Sequence, residues 1–128
     1  MKEAEVRTFL WFQNGLEEAL SFYQSIFKNF KKYEENRMDG KLFTCDFEIH
    51  GQRFIGMDTP GGEKFNNSIS ISVQVSGQKE VDRLWDAITK DGEEIACGWC
   101  KDQWGVHWQI TPFEMRDWLG HADPEVSQ

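Results

Sequence analysis

KDQWGVHWQITP, residues Lys101–Pro112, reads as a strand, a tight turn at Gly105 and a second strand. Past the turn the residues alternate. Val106, Trp108 and Ile110 project one way and His107, Gln109 and Thr111 the other, because successive strand side chains point to opposite faces. The first set requires an apolar layer behind it. The second forms a polar front, and what that front faces is the functional question.

Moving outward, Ser68–Val75, SISISVQV, shows the same alternation more sharply. Ile69, Ile71, Val73 and Val75 share one face; Ser68, Ser70, Ser72 and Gln74 share the other. Ser76-Gly77 leads into a helix over Gln78–Lys90 with Val81, Leu84, Trp85 and Ile88 as its apolar stripe, stopped by Asp91-Gly92. Glu93–Ala96 reads as a short strand. Phe113–Leu119, carrying Trp118, reads as a final helical turn or two. The N-terminal half repeats the pattern. Glu5–Gln13 is an aromatic-rich strand, broken by Asn14-Gly15, and Leu16–Lys28 is a helix with Leu16, Ala19, Leu20, Tyr23, Ile26 and Phe27 on one stripe. Phe30–Asn36, Leu42–Ile49 and Arg53–Asp58 follow as strands, turned by Met38-Asp39-Gly40 and His50-Gly51-Gln52.

The order is strand, helix, three strands, then a loop at Thr59–Asn67, then strand, helix and strands again. The expected fold is α+β: two βαβββ modules, about 5–58 and about 68–119, within a single domain over 1–128. Helices covering the backs of two sheets leave polar fronts, and two such fronts forming a curved mixed sheet would enclose a cleft. The loop, with Pro60-Gly61-Gly62 at its tip, is either a functional loop or a plain connector.

A chain of 128 residues can bury a core without staples, and 39% hydrophobic and 14% aromatic content are globular values. The formal charge of −8 argues against nucleic-acid and anionic-membrane partners, which require clustered Lys and Arg. The longest basic run, Lys28–Lys32, is followed at once by Glu34 and Glu35. MKEAEVR lacks an apolar signal core and no apolar run reaches membrane-spanning length, so the expected location is cytoplasmic. Three cysteines do not make a disulfide framework. Cys97-Gly98-Trp99-Cys100 is formally C-x-x-C, but turn and strand residues follow it rather than the helix a redox motif opens. With Cys45 alone remaining, a second zinc-ligating pair is also missing.

Leu10–Phe27 (LWFQNGLEEALSFYQSIF), Glu80–Ile88 (EVDRLWDAI) and Cys97–Pro112 (CGWCKDQWGVHWQITP), with the strand pattern, resemble the vicinal oxygen chelate superfamily of glyoxalase I, extradiol dioxygenases and bleomycin-binding proteins. More narrowly they resemble its PhnB-like, 3-demethylubiquinone-9 3-methyltransferase-like family. That resemblance implies a glyoxalase-like fold and a homodimer. The methyltransferase activity has no support in the residues. A Rossmann-type site needs a Gly-rich strand-to-helix turn, whereas Asn14-Gly15 and Ser76-Gly77 are single-Gly turns.

In metal-dependent members of the superfamily the ligands lie on the first, fourth, fifth and last strands. The resemblance carries those places onto Thr8, Gly56, Ser68 and Gln109. None of these is His, Glu, Asp or Cys, and Gln109, the one plausible ligand, offers an amide oxygen, which is weak for zinc or nickel. No metal or other cofactor is therefore expected, although His107 and Asp58, with Gln109 and Cys45, would be the residues of an unorthodox divalent-metal site or acid–base pair. The alternative for His107 is a partly buried histidine satisfied by hydrogen bonds. Asp102 reads as a cap on the following turn. His50 and His121 read as bystanders.

The expectation is thus a small-molecule cleft lined by Thr8, Phe12, Gly56, Asp58, Ser68, Ser70, Trp99, Trp104, His107 and Gln109. Ser and Gln would supply hydrogen bonds, and Phe12, Trp99 and Trp104 stacking surfaces. Each tryptophan has core or dimer packing as its plainer role. A metal-dependent lyase or dioxygenase is the competing enzymatic reading. A fold used mainly for oligomerisation or regulation is the third.

Overall fold

In the computed structural model, which describes residues 3–96 and 98–114, the chain divides into two compact units with the boundary between Lys64 and Phe65. In the first unit, β1 (Thr8–Phe12) leads into α1 (Leu16–Ile26). The strands β2 (Phe30–Met38), β3 (Lys41–Ile49) and β4 (Gln52–Asp58) follow. Their sheet runs β1-β4-β3-β2. The β1–β4 pair is parallel and the other pairs antiparallel. The second unit repeats this with β5 (Ile71–Val75), α2 (Gln78–Lys90), β6 (Glu93–Ala96), β7 (Trp99–Lys101) and β8 (His107–Pro112). Its sheet runs β5-β8-β7-β6, again with the parallel pair between first and last strands. Both units are βαβββ modules, as the sequence predicts.

The two tight hairpins of the first unit follow from their residues. Asp39-Gly40 and His50-Gly51 all have positive φ, 52° and 79°, then 46° and 88°. Two consecutive positive φ values give a turn whose twist matches that of the strands it joins. The helices are amphipathic, with Leu16, Ala19, Leu20, Tyr23 and Ile26 of α1 and Val81, Leu84 and Ile88 of α2 buried. Each helix lies against its own sheet.

Neither helix has a side-chain cap from its own N-terminal residue, since Gly15 and Gly77 stand there. The acceptors come from the end of the last strand in the first unit and from two residues past it in the second. Asp58 Oδ1 accepts from Leu16 N at 3.2 Å, and Glu114 Oε1 accepts from Gly77 N at 3.0 Å. The parallel pairing explains this. It brings the C-terminal end of the last strand beside the point where the first strand hands over to its helix, placing an acid at the positive end of the helix dipole.

Several boundaries differ from the sequence reading, among them β1, which covers Thr8–Phe12 rather than Glu5–Gln13, and β7, which ends at Lys101, where the strand ahead of Gly105 is expected to begin. Helix α1 stops at Ile26, because Phe27 is already extended at φ −106°, ψ 125°. Strand β5 begins at Ile71 rather than Ser68, because Asn66 Oδ1 accepts from Ser68 N and holds 66–68 as a side-chain-closed turn. Strand β2 reaches Met38, with bulges in its pairing to β3 between Lys32 and Glu35 and between Asn36 and Arg37. The final helix expected over Phe113–Leu119 lies outside the described residues beyond Glu114.

Candidate functional site

The organising stretch forms β7, a turn and β8, and Asp102 builds the turn. Its buried carboxylate (3% exposed) accepts from Trp104 N and Val106 N through Oδ1 and from the Trp108 indole through Oδ2, each at 3.0 Å. Asp102 is the turn cap the sequence suggests. Trp108, Ile110 and Cys100 are buried on the face that α2 covers.

The opposite face carries the polar front. His107 pairs with Lys101 and Gln109 with Trp99 and Ser72. Gln109 Nε2 donates to Ser70 Oγ at 2.8 Å. Thus Ser70, Trp99, His107 and Gln109, four of the expected site residues, share one face of the second sheet. His107 is 6% exposed, and its Nδ1 lies 2.8 Å from Gly105 O. A carbonyl accepts only, so Nδ1 carries the proton of this bond. Trp104 is half-buried within the turn, and Ser68 is exposed ahead of β5.

The first-unit expectations need correction. A Cβ on Gly56 would lie 2.6 Å from Leu16 Cδ1 and 3.5 Å from Phe12, which places Gly56 under α1. Phe12 is completely buried and pairs with Asp58. Asp58 is spent on capping α1 and on Lys41, 3.2 Å from Oδ2. Thr8, which pairs with Phe54, is exposed at the start of β1. These four belong to the helix-covered register of the sheet. The reason is that β1 reads TFLWF, apolar on both faces. Alternation therefore names no front, and helix packing chose Leu10 and Phe12 for the inside.

The open face of the first sheet instead carries Phe9 and Trp11, 48% and 45% exposed, together with a charged network that the sequence reading missed. Asp46 accepts from Arg7 at 2.7 Å and Arg53 at 3.0 Å. Arg53 stacks over the Tyr33 ring at 4.1 Å. Tyr33 donates to Glu48 at 2.9 Å, which pushes its hydroxyl pKa up. Cross-strand pairing of Glu48 with Arg53 was the available signal.

The ligand quartet does not fit a metal: Thr8 is at a strand end, Gly56 has no side chain, Ser68 is outside β5 and Gln109 is bonded to Ser70. Among the described residues no group of three or more His, Cys, Asp and Glu is arranged to hold a metal ion. Cys45 and Cys100 are buried, and burial pushes their thiols up to about 11 and about 12. That makes them poor ligands and poor nucleophiles at neutral pH.

The second unit also contains a groove of about 790 Å³. It is bounded by the N-terminal half of α2, the β6–β7 hairpin and the C-terminal half of β8. Trp85, Trp99, Gln109 and Thr111 are all in its lining. Gly98, with φ 79°, turns the hairpin, and its carbonyl accepts from Ile110 N at 2.9 Å. The sequence places Trp99 and Gln109 in a cleft between two polar sheet fronts, whereas this groove is bounded by α2. Trp85 was read as core, but its indole is turned to Glu94 at 2.9 Å.

Among the described residues no helix is long and apolar enough to cross a membrane. A comparison with curated proteins finds no match. A PhnB protein from Bacillus cereus is similar in structure, with 26% identity, a TM-score of 0.74 and coverage of 85% of this chain and 99% of that one. A FosX fosfomycin resistance protein from Listeria monocytogenes, complexed with Mn(II), shares the fold at 19% identity and TM-score 0.61, over 86% and 92% of the two chains. A glyoxylase/bleomycin resistance protein/dioxygenase domain from Frankia sp. shares it at 15% and 0.57, over 86% and 97%. The model of the 3-demethylubiquinone-9 3-methyltransferase family matches residues 4–111. The chain belongs to that family, on a fold of the vicinal oxygen chelate type and without the parallel doubly wound sheet of a Rossmann methyltransferase.

Proposed function

We propose that this protein binds a small organic molecule in the groove of its second unit, without a metal. The observation that carries the reading is the groove itself: about 790 Å³, with Trp85, Trp99 and Gln109 in its lining. That volume suits a drug-sized ligand, and mixed aromatic and hydrogen-bonding walls are what orient one. The Gln109–Ser70 bond fixes the amide, so its carbonyl oxygen is presented as an acceptor. The reading includes a homodimer and a cytoplasmic location as further proposals.

The test is a screen of small aromatic compounds by ligand-observed NMR, repeated on Trp99→Ala and Gln109→Ala. Hits that weaken in both variants are expected. A screen without hits, or hits indifferent to both substitutions, would overturn the proposal.

A further inference from the structure

We infer that the groove selects organic cations: amines or quaternary ammonium compounds carrying an apolar or aromatic body. The inference rests on the small-molecule reading above and specifies its ligand class. Asp82 and Glu94 both line the groove, and its described lining contains no Lys, Arg or His.

What these two acids bond to separates them from their neighbours. Glu80 is paired with Arg83 at 2.6 Å and Glu93 with Lys101 at 3.3 Å. Asp82 and Glu94 accept from neutral groups instead, the Gln78 amide and the Trp85 indole, each at 2.9 Å. Those bonds orient both carboxylates, and among the described residues neither forms an ion pair with a Lys, Arg or His. The indole bond also fixes Glu94 beside an aromatic ring. The carboxylate sits at the ring edge, where the N–H points, so a cation over the indole face would be attracted by the ring quadrupole and by the nearby Glu94 charge. Residues 78 and 82, like 81 and 85, are one turn apart, so one face of α2 presents the amide, the acid and the indole together. Anionic ligands meet the opposite arrangement: two fixed negative charges and no donor cation.

The experiment compares benzyltrimethylammonium, benzyl alcohol and phenylacetate on the intact protein by ligand-observed NMR titration. The cation is expected to bind about tenfold more tightly than either of the others. That preference should vanish in the Asp82→Asn/Glu94→Gln double variant, which keeps both acceptor oxygens for Gln78 and Trp85 and removes only charge. Equal or tighter binding of the alcohol or of phenylacetate by the unsubstituted protein would overturn the cation inference while leaving the small-molecule reading standing. A preference that survives in the double variant would overturn it too. No binding by any of the three would also overturn it, and the aromatic screen then decides the groove reading on its own.

Discussion

Replacing Asp102 with alanine should be the most damaging polar substitution in the second unit. The carboxylate is buried and accepts from two backbone N–H groups and one indole N–H. Alanine leaves three donors stranded, each at a penalty of about 1–3 kcal/mol. Removing a buried charge returns part of its desolvation cost, so the net loss is about 3–5 kcal/mol, in the lower half of the sum for three stranded donors. With a urea slope of about 2 kcal/mol per molar, the unfolding midpoint should fall by about 2 M. Asp102→Asn separates the contributions. Its oxygen still serves Trp104 N and Val106 N, but its NH2 meets the Trp108 N–H donor to donor, so about half the loss is expected. In a Trp108→Phe background that conflict disappears, and the two substitutions should couple by about 1–2 kcal/mol. Far-UV circular dichroism in urea reads the unsubstituted protein and all four variants without depending on the removed tryptophan. A midpoint shift below about 0.5 M for Asp102→Ala, or strict additivity in the cycle, would refute the reasoning.

Other expectations follow from the same geometry. Asp58→Ala removes the cap of α1 and should cost about 1–2 kcal/mol by thermal unfolding. Lys41→Ala, which touches the same carboxylate from an exposed position, should cost under about 1 kcal/mol, and equal losses would mean that Asp58 acts through Lys41. Gly92→Ala should be worse than Gly56→Ala. The new methyl at 92 meets the rigid backbone carbonyl of Lys101, whereas that at 56 meets the Leu16 side chain, which can shift at about 1–3 kcal/mol; melting temperatures in the reverse order would contradict this. For Cys100 the folded thiol is raised from 9.0 to about 12. The unfolded chain therefore loses that proton first, and stability should be intact below about pH 9 and decline toward pH 12. Native Cys45 and Cys100 should also resist a thiol reagent at pH 8 until denaturant is added, and rapid native labelling of both would count against their burial. Elemental analysis after dialysis against nickel, zinc, manganese and iron should find far less than one retained ion per chain. A stoichiometric ion would show that a ligand set exists outside the residues weighed above.

The sequence by itself determined the module order, both helical stripes and the polar front of the last strand. Each of these rests on a periodicity with chemically distinct faces. Val106–Thr111 alternates apolar with polar, so only one assignment buries Val106, Trp108 and Ile110, and His107 and Gln109 fell on the other face accordingly, whereas the same alternation in Ser68–Val75 left Ile69 70% exposed. Glycine-bearing turns were equally local, because a positive φ is a property of the residue itself.

Only the tertiary structure decided which face of β1 and β4 lies inside. Thr8–Phe12 is apolar on both sides, and Gly56 has no side chain to testify, so packing against Leu16 settled the register one residue away from the expected one. The same holds for partners distant in sequence. Asp58 becomes a helix cap, and Trp85 turns from the core stripe to Glu94, through contacts that no local pattern encodes. Binary patterning sorts residues into inside and outside when the two differ. Where they do not, or where a polar atom must choose among remote donors, the choice belongs to three-dimensional packing.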